Sequence, residues 1–194
     1  MTATSSTETT LEAIDPRQLR NTFGTFATGV TVVTTTGADG VPHGATVNAF
    51  TAVSLDPPLA QVTLTRQSKA AKYLENSHFA INILASDQLD VAMHFAGRPM
   101  EQDPDFVLDG DVPILNGSAA VLECKPWNIY DGGDHIIVVG EVTRLDYTTK
   151  PPLLFYSGKF REVGNFCEGT PWDHSADSLS SGWFDGAKCF KKFS

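Results

Sequence analysis

The order of apolar and polar positions reads as short strands punctuated by turns, with few helical stretches between them. From Asp15, the segment DPRQLRNTFGTFATG places Leu19, Phe23 and Phe26 on one helical face, with Asp15 able to cap free amides and Pro16 suited to the first position. Gly24 weakens that helix, and Gly29 is expected to end it. The β-branched run VTVVTTT follows as a strand, then the turn GADG, then residues 44–58, GATVNAFTAVSLDPP, as one half-buried strand, then LAQVTL. Three strands joined by short turns predict an antiparallel meander.

Residues 68–76 read as a helix leading into FAINIL, where Phe79, Ile81 and Ile83 alternate with smaller or polar neighbours. SDQLDVAMHFAG predicts another helix, capped by Ser86 and ended near Gly97, and residues 98–117 read as a loop. AVLECKPWNIY and HIIVVGEVTRLDY are long strands on either side of the turn DGGD, and PLLFYSGKF is a last strand. With no strand–helix–strand alternation, this pattern predicts a mainly β fold, a closed antiparallel barrel without exposed edges. Residues 1–14 read as a flexible tail, 15–163 as one domain, and 164–194 as a C-terminal extension with no sustained period and no assigned role.

Composition narrows what such a barrel can do. Fourteen Lys and Arg against 23 Asp and Glu leave a net charge of -9, so the phosphate attraction of a nucleic-acid binder is not expected. No run of apolar residues reaches the ~20 needed to span a bilayer, and no basic segment precedes an apolar leader, so neither membrane association nor secretion is expected. Cys124, Cys167 and Cys189 are odd in number and form no Cys-x-x-Cys pair, which fits a reducing cytoplasm.

Gly-rich nucleotide motifs, paired metal ligands and a nucleophile elbow are missing, so a Rossmann unit, a P-loop, a metal centre and hydrolytic chemistry are not indicated. Three stretches carry candidate chemistry instead. In TRQSKAAKYL, Ser68 can cap a helix start where Arg66, Lys69 and Lys72 gather positive charge, a setting suited to phosphate. A solvated surface explains the same residues. In the strand from Gly44, Thr46, Asn48 and Phe50 share one face and Val47, Ala49 and Thr51 the other, so neither face is cleanly apolar; short polar side chains there could meet the edge of a flat heteroaromatic ligand. In DGGDHIIVVGEV, a tight acidic turn sets His135 at the head of a strand, either satisfying a turn carbonyl or acting as a donor that orients a ligand or meets negative charge developing on it.

Taken in order, FGTFATGVTVVTT, GATVNAFTAVSLDPPL, RQSKAAKYL, FAINIL, HFAG, DGGDHIIVVGEV and PLLFYSGKF resemble the flavin reductase family that supplies reduced flavin to two-component monooxygenases. The resemblance implies an antiparallel Greek-key split barrel of the FMN-binding type with short flanking helices, a homodimer, and flavin held near the subunit interface. It implies that Thr46, Val47, Asn48, Ala49 and Phe50, with Ser54 behind them, hold the flavin ring. Ser68 and Lys69, with Arg66, match the segment that meets the flavin phosphate, and Phe95, Ala96 and Gly97 match another wall. His135 matches the histidine beside the nicotinamide, and Phe155, Tyr156, Ser157 and Gly158 match the strand end where NADH or NADPH approaches. The implied reaction is hydride transfer from NADH or NADPH to FMN or FAD, with a flavin-dependent monooxygenase as the receiving partner. A flavoprotein that retains FMN and reduces another acceptor, and a non-catalytic flavin-binding subunit on the same barrel, are the alternatives.

Overall fold

Asp15 caps the first helix as its position suggests, its Oδ2 accepting a bond from the Gln18 amide at 2.9 Å. The computed structural model describes residues 13–165 apart from 109 and 111. In chain order it contains α1 (Pro16–Phe23), β1 (Thr28–Gly29), β2 (Thr31–Thr36), β3 (Pro42–Val47), β4 (Phe50–Leu55), β5 (Pro58–Thr65), a 3-10 turn (Ala70–Lys72), β6 (Phe79–Ile83) and α2 (Leu89–Phe95). Then come β7 (Phe106–Val107), β8 (Ile114–Leu115), β9 (Ala120–Gly132), β10 (His135–Tyr147), β11 (Leu154–Tyr156) and β12 (Lys159–Arg161).

Seven strands form one antiparallel sheet in the order β3-β2-β6-β9-β10-β5-β4. Its two end strands, β3 and β4, are consecutive in the chain and separated only by Asn48 and Ala49. Laid flat, six strand spacings would hold them ~29 Å apart, whereas three Cα steps from Val47 to Phe50 reach at most ~11 Å. The sheet must therefore roll until its ends meet. No ladder joins β3 to β4, so the barrel is rolled but not closed, as a split barrel rather than the closed one that the pattern suggested.

Packing follows the two-residue period. Neighbours Val32 and Val33 on β2 point into different clusters: Val33 joins Val62, Leu64, Leu74, Phe79, Ile81 and Val138, while Val32 joins Val30, Leu84, Ala92, Leu115 and Leu153. Burying each large apolar side chain contributes roughly 1.5–3 kcal/mol. The 13-residue strands β9 and β10 pair along nearly their whole length around the DGGD turn, with irregularities at Val139/Gly140 and Val142/Arg144. A Cβ on Gly140 would stand 2.5 Å from the Phe79 ring and 2.8 Å from Cys124 Cβ, so only glycine lets β10 pass there. Burial, and then the charge of Glu123, push the Cys124 thiol up to about 12, making it an inert core residue.

Four expected elements differ. The helix from Asp15 stops at Gly24, not Gly29, because Thr28 and Gly29 are drawn into β1 against β11, and none of its residues is buried. The 44–58 strand is two strands on opposite ends of the sheet, so there is no three-strand meander. The helix over residues 68–76 is a single 3-10 turn, with no side-chain cap, pinned by burial of Ala70, Ala71 and Leu74. PLLFYSGKF is a hairpin, β11–β12, turned at Ser157 and Gly158 with φ of 50° and 74°. The second helix stands as α2, but Gln88 rather than Ser86 precedes it, and no side chain caps it. Residues 98–117 are loop apart from the short β7–β8 ladder. The N-terminal tail through residue 12 and the extension beyond 165 lie outside the described residues. Among the described residues no helix is long and apolar enough to cross a membrane.

Candidate functional site

The split in the barrel is also a cleft. Where β3 runs out, a recess of about 510 Å³ opens between the segment from Ala45 to Ala49, the end of β5 at Thr63, Leu64 and Thr65, Ser68 just beyond it, and Gly132 and His135 on the long hairpin. Phe23 of α1 completes the lining. Ala49 is stitched to β5 by a bond from the Thr63 amide to its carbonyl at 3.0 Å, while Asn48 belongs to no strand. Volume and shape suit a flat ligand of cofactor size.

Several bonds fix the walls. Thr46 donates its hydroxyl to the Ala92 carbonyl of α2 at 2.7 Å, and Thr31 donates to the Val47 carbonyl at 3.0 Å, so both groups brace β3 instead of facing a ligand. His135 sits opposite Thr65 and Gly132 in the two ladders that meet at the hairpin end. Its Nδ1 lies 2.6 Å from Asp134 Oδ1. Arg66 clasps the turn, donating from Nε to Gly133 at 2.8 Å and from its amide to Asp134 at 3.2 Å, and pairing through Nη2 with Asp131 Oδ2 at 2.9 Å. A bond from the Gly133 amide, and then the Arg66 charge, hold the Asp131 carboxyl below the usual carboxylate range.

Of the residues singled out in the sequence, Thr46, Val47, Asn48, Ala49, Ser68 and His135 come together in this cleft, and the others lie elsewhere. Arg66 lines a separate recess of about 250 Å³ with Lys72, Glu75, Ile129 and Ile136, and Lys69 lines neither. Because no α-helix follows Ser68, the dipole argument for a phosphate there falls away; a hydroxyl and neighbouring cations remain. Phe50 packs against the core, and Ser54 pairs with Leu59 toward the far end of the β4–β5 hairpin. Phe95 packs beneath Gly44 and edge-on to Phe106, with Ala96 and Gly97 closing α2. Phe155, Tyr156, Ser157 and Gly158 form the β11–β12 turn, joined to α1 by a 2.8 Å bond from the Ser157 amide to Gly24, the residue after Phe23.

Sequence reasoning missed Phe23, Ala45, Thr63, Leu64, Thr65 and Gly132. Thr63 and Thr65 carried a signal, since they put hydroxyls two apart on one face of LAQVTLT. Nothing local marked Phe23, which reads as a core position yet is 69% exposed.

The model of the flavin reductase like domain matches residues 23–164, from the cleft's aromatic wall past the last hairpin. The chain belongs to the flavin reductase family. It is 42% identical over 163 residues to an NADH-dependent flavin reductase of Rhodococcus sp, covering 82% of this chain and 93% of that protein. It is 39% identical over 161 residues to the reductase subunit HsaB of a flavin-dependent monooxygenase of Rhodococcus jostii, covering 78% and 80%. Among solved structures, the Streptomyces globisporus C-1027 NADH:FAD oxidoreductase SgcE6 in complex with NAD and FAD fragments superposes with a TM-score of 0.71 at 37% identity, covering 83% of this chain and all of that one. In this member of the flavin reductase family the cleft residues fit a flavin: Val47 and Phe23 offer apolar contact, Asn48 an amide for a polar ring edge, and Ser68 a hydroxyl for a phosphate.

Proposed function

We propose that the protein reduces FMN or FAD with NADH and releases the reduced flavin to a partner monooxygenase. The observation that carries this reading is the cleft at the barrel split, where the strand break at Asn48–Ala49 faces His135 across the end of β5. When bound, flavin would supply the redox chemistry as acceptor of the hydride, with its electron pair, that NADH gives up. The chain's part is to hold two planar molecules in contact, keep water out, and place polar groups at their edges. Val47 would form the floor, Asn48 and Ser68 would bind polar groups of the flavin, and His135 would orient the nicotinamide. No side chain has to act as acid or base.

The functional unit proposed is residues 15–163, and it works as a homodimer. Support comes from α1 and the turn after it, where Leu19, Phe23 and Phe26 expose apolar surface while Phe23 lines the cleft. A second copy over α1 would cover that surface and finish the wall. A cytoplasmic setting fits the free thiol of Cys124.

Gel filtration followed by NADH oxidation at varied FMN and FAD tests the reading. Colourless, dimer-sized protein with saturable, flavin-dependent oxidation is the expected result, and the lower half-saturation names the flavin. Yellow protein indifferent to added flavin would mean a retained cofactor and a different acceptor. His135→Ala should slow single-turnover flavin reduction about five- to tenfold, the worth of one neutral hydrogen bond, without abolishing it. An unchanged rate removes His135 from the mechanism.

A further inference from the structure

His135 has two ring nitrogens, and the contact made by one of them bears on which carries the proton. Nδ1 stands 2.6 Å from Asp134 Oδ1, too close for two bare lone pairs, so one proton lies between them. The Asp134 carboxyl is held below the usual carboxylate range, first of all by that hydrogen bond, so the carboxylate accepts and Nδ1–H donates. In a neutral imidazole protonated at Nδ1, Nε2 bears the lone pair. Free histidine in water favours the opposite tautomer, so Asp134 reverses the default choice.

The pair is not a loose surface contact. Asp134 belongs to a turn tied down by three interactions of Arg66, with the Asp134 carbonyl, the Gly133 carbonyl and the Asp131 carboxylate. Asp134 is 91% open and His135 43%, so the bond adds little to stability. Choosing between two tautomers needs only a small bias.

We infer that Asp134 is a positioning residue that holds His135 as its Nδ1–H tautomer, so that Nε2 meets the cleft as a hydrogen-bond acceptor for a primary amide, the carboxamide N–H of a nicotinamide ring. This deepens the role given to His135 above and rests on it. It also narrows that role, because a neutral ring in this state accepts at Nε2 and cannot donate there.

The test uses full-length protein labelled with nitrogen-15 in its histidines, with the pH raised until the ring signals stop moving and the ring is neutral. His135→Gln assigns the signal by its disappearance. Wild type should show a protonated Nδ1 and a bare Nε2; Asp134→Ala should move the proton to Nε2, and Asp134→Asn, whose amide oxygen still accepts, should restore the original state. Protonated Nε2 in wild type, or no change in Asp134→Ala, overturns the inference. The second arm compares NADH with its reduced 3-acetylpyridine analogue, which has a methyl ketone in place of the amide. Wild type should show KM about five- to tenfold higher for the analogue, and Asp134→Ala about twofold, with Asp134→Asn close to wild type. Equal KM values in wild type overturn the amide assignment. If the tautomer is as stated while His135→Ala leaves single-turnover reduction unchanged, the fault lies in the role of His135 itself and not in what Asp134 does to its ring.

Discussion

Replacing Asn82 by alanine is expected to destabilise the protein by about 3–5 kcal/mol, enough to lower the melting midpoint of a domain this size by roughly 10 °C. Asn82 lies on β6, fully buried, between β2 and β9. Its amide donates to the Val32 carbonyl and to Thr34 Oγ1, both at 2.9 Å, and its carbonyl accepts from the Leu115 amide at 2.8 Å. One side chain thus fastens the sheet to β8. Alanine would strand a buried amide and a buried carbonyl, each costing roughly 1–3 kcal/mol, and leave a cavity beside them. Asn82→Leu separates these effects, because it fills the space and still strands both groups. Chemical denaturation followed by circular dichroism reads the loss; a change below about 0.5 kcal/mol in the alanine variant, the range of ordinary surface substitutions, would show that the network is not holding β6 to β8.

Asn82 also shows where sequence reasoning stops. In FAINIL the alternation of Phe79, Ile81 and Ile83 correctly gives a strand, and with one face solvated Asn82 would belong outside. Both faces of β6 are covered, so the polar residue is inside and bonded. The strands β2, β9 and β10 and the DGGD turn were legible because β-branched runs and turn glycines act locally. The break at Asn48–Ala49 was not, since it exists only because the sheet rolls until β3 and β4 meet. The helix expected after Ser68 failed for a similar reason: burial of Ala70, Ala71 and Leu74 fixes a tight turn that local propensity does not specify. Within the site, the polar positions of β3, Ser68 and His135 were visible as chemistry out of place on a strand or turn. Thr63, Thr65 and Gly132 join them through ladder register, which one sequence does not reveal.

The second large effect is expected at Gly44, where fold and site are mechanically coupled. A Cβ there would lie 2.6 Å from two atoms of the Phe95 ring, closer than carbon atoms can pack. The ring is hemmed in, since it meets His94 edge-on at 4.7 Å and Phe106 at 6.2 Å and packs against a buried cluster. Gly44→Ala should therefore push β3 away from α2, at a cost of about 1–3 kcal/mol, and strain the bond from Thr46 to Ala92. Because β3 carries Thr46, Val47 and Asn48 into the cleft, the half-saturation for flavin should rise about tenfold, while kcat at saturating flavin should change less. Shortening the ring in the double variant Gly44→Ala/Phe95→Leu should recover part of both losses, although Phe95→Leu alone destabilises by leaving a gap. Equal penalties for Gly44→Ala with and without Phe95 would mean that the clash is not what makes glycine necessary, and that β3 takes its position in the cleft from its ladder with β2 alone.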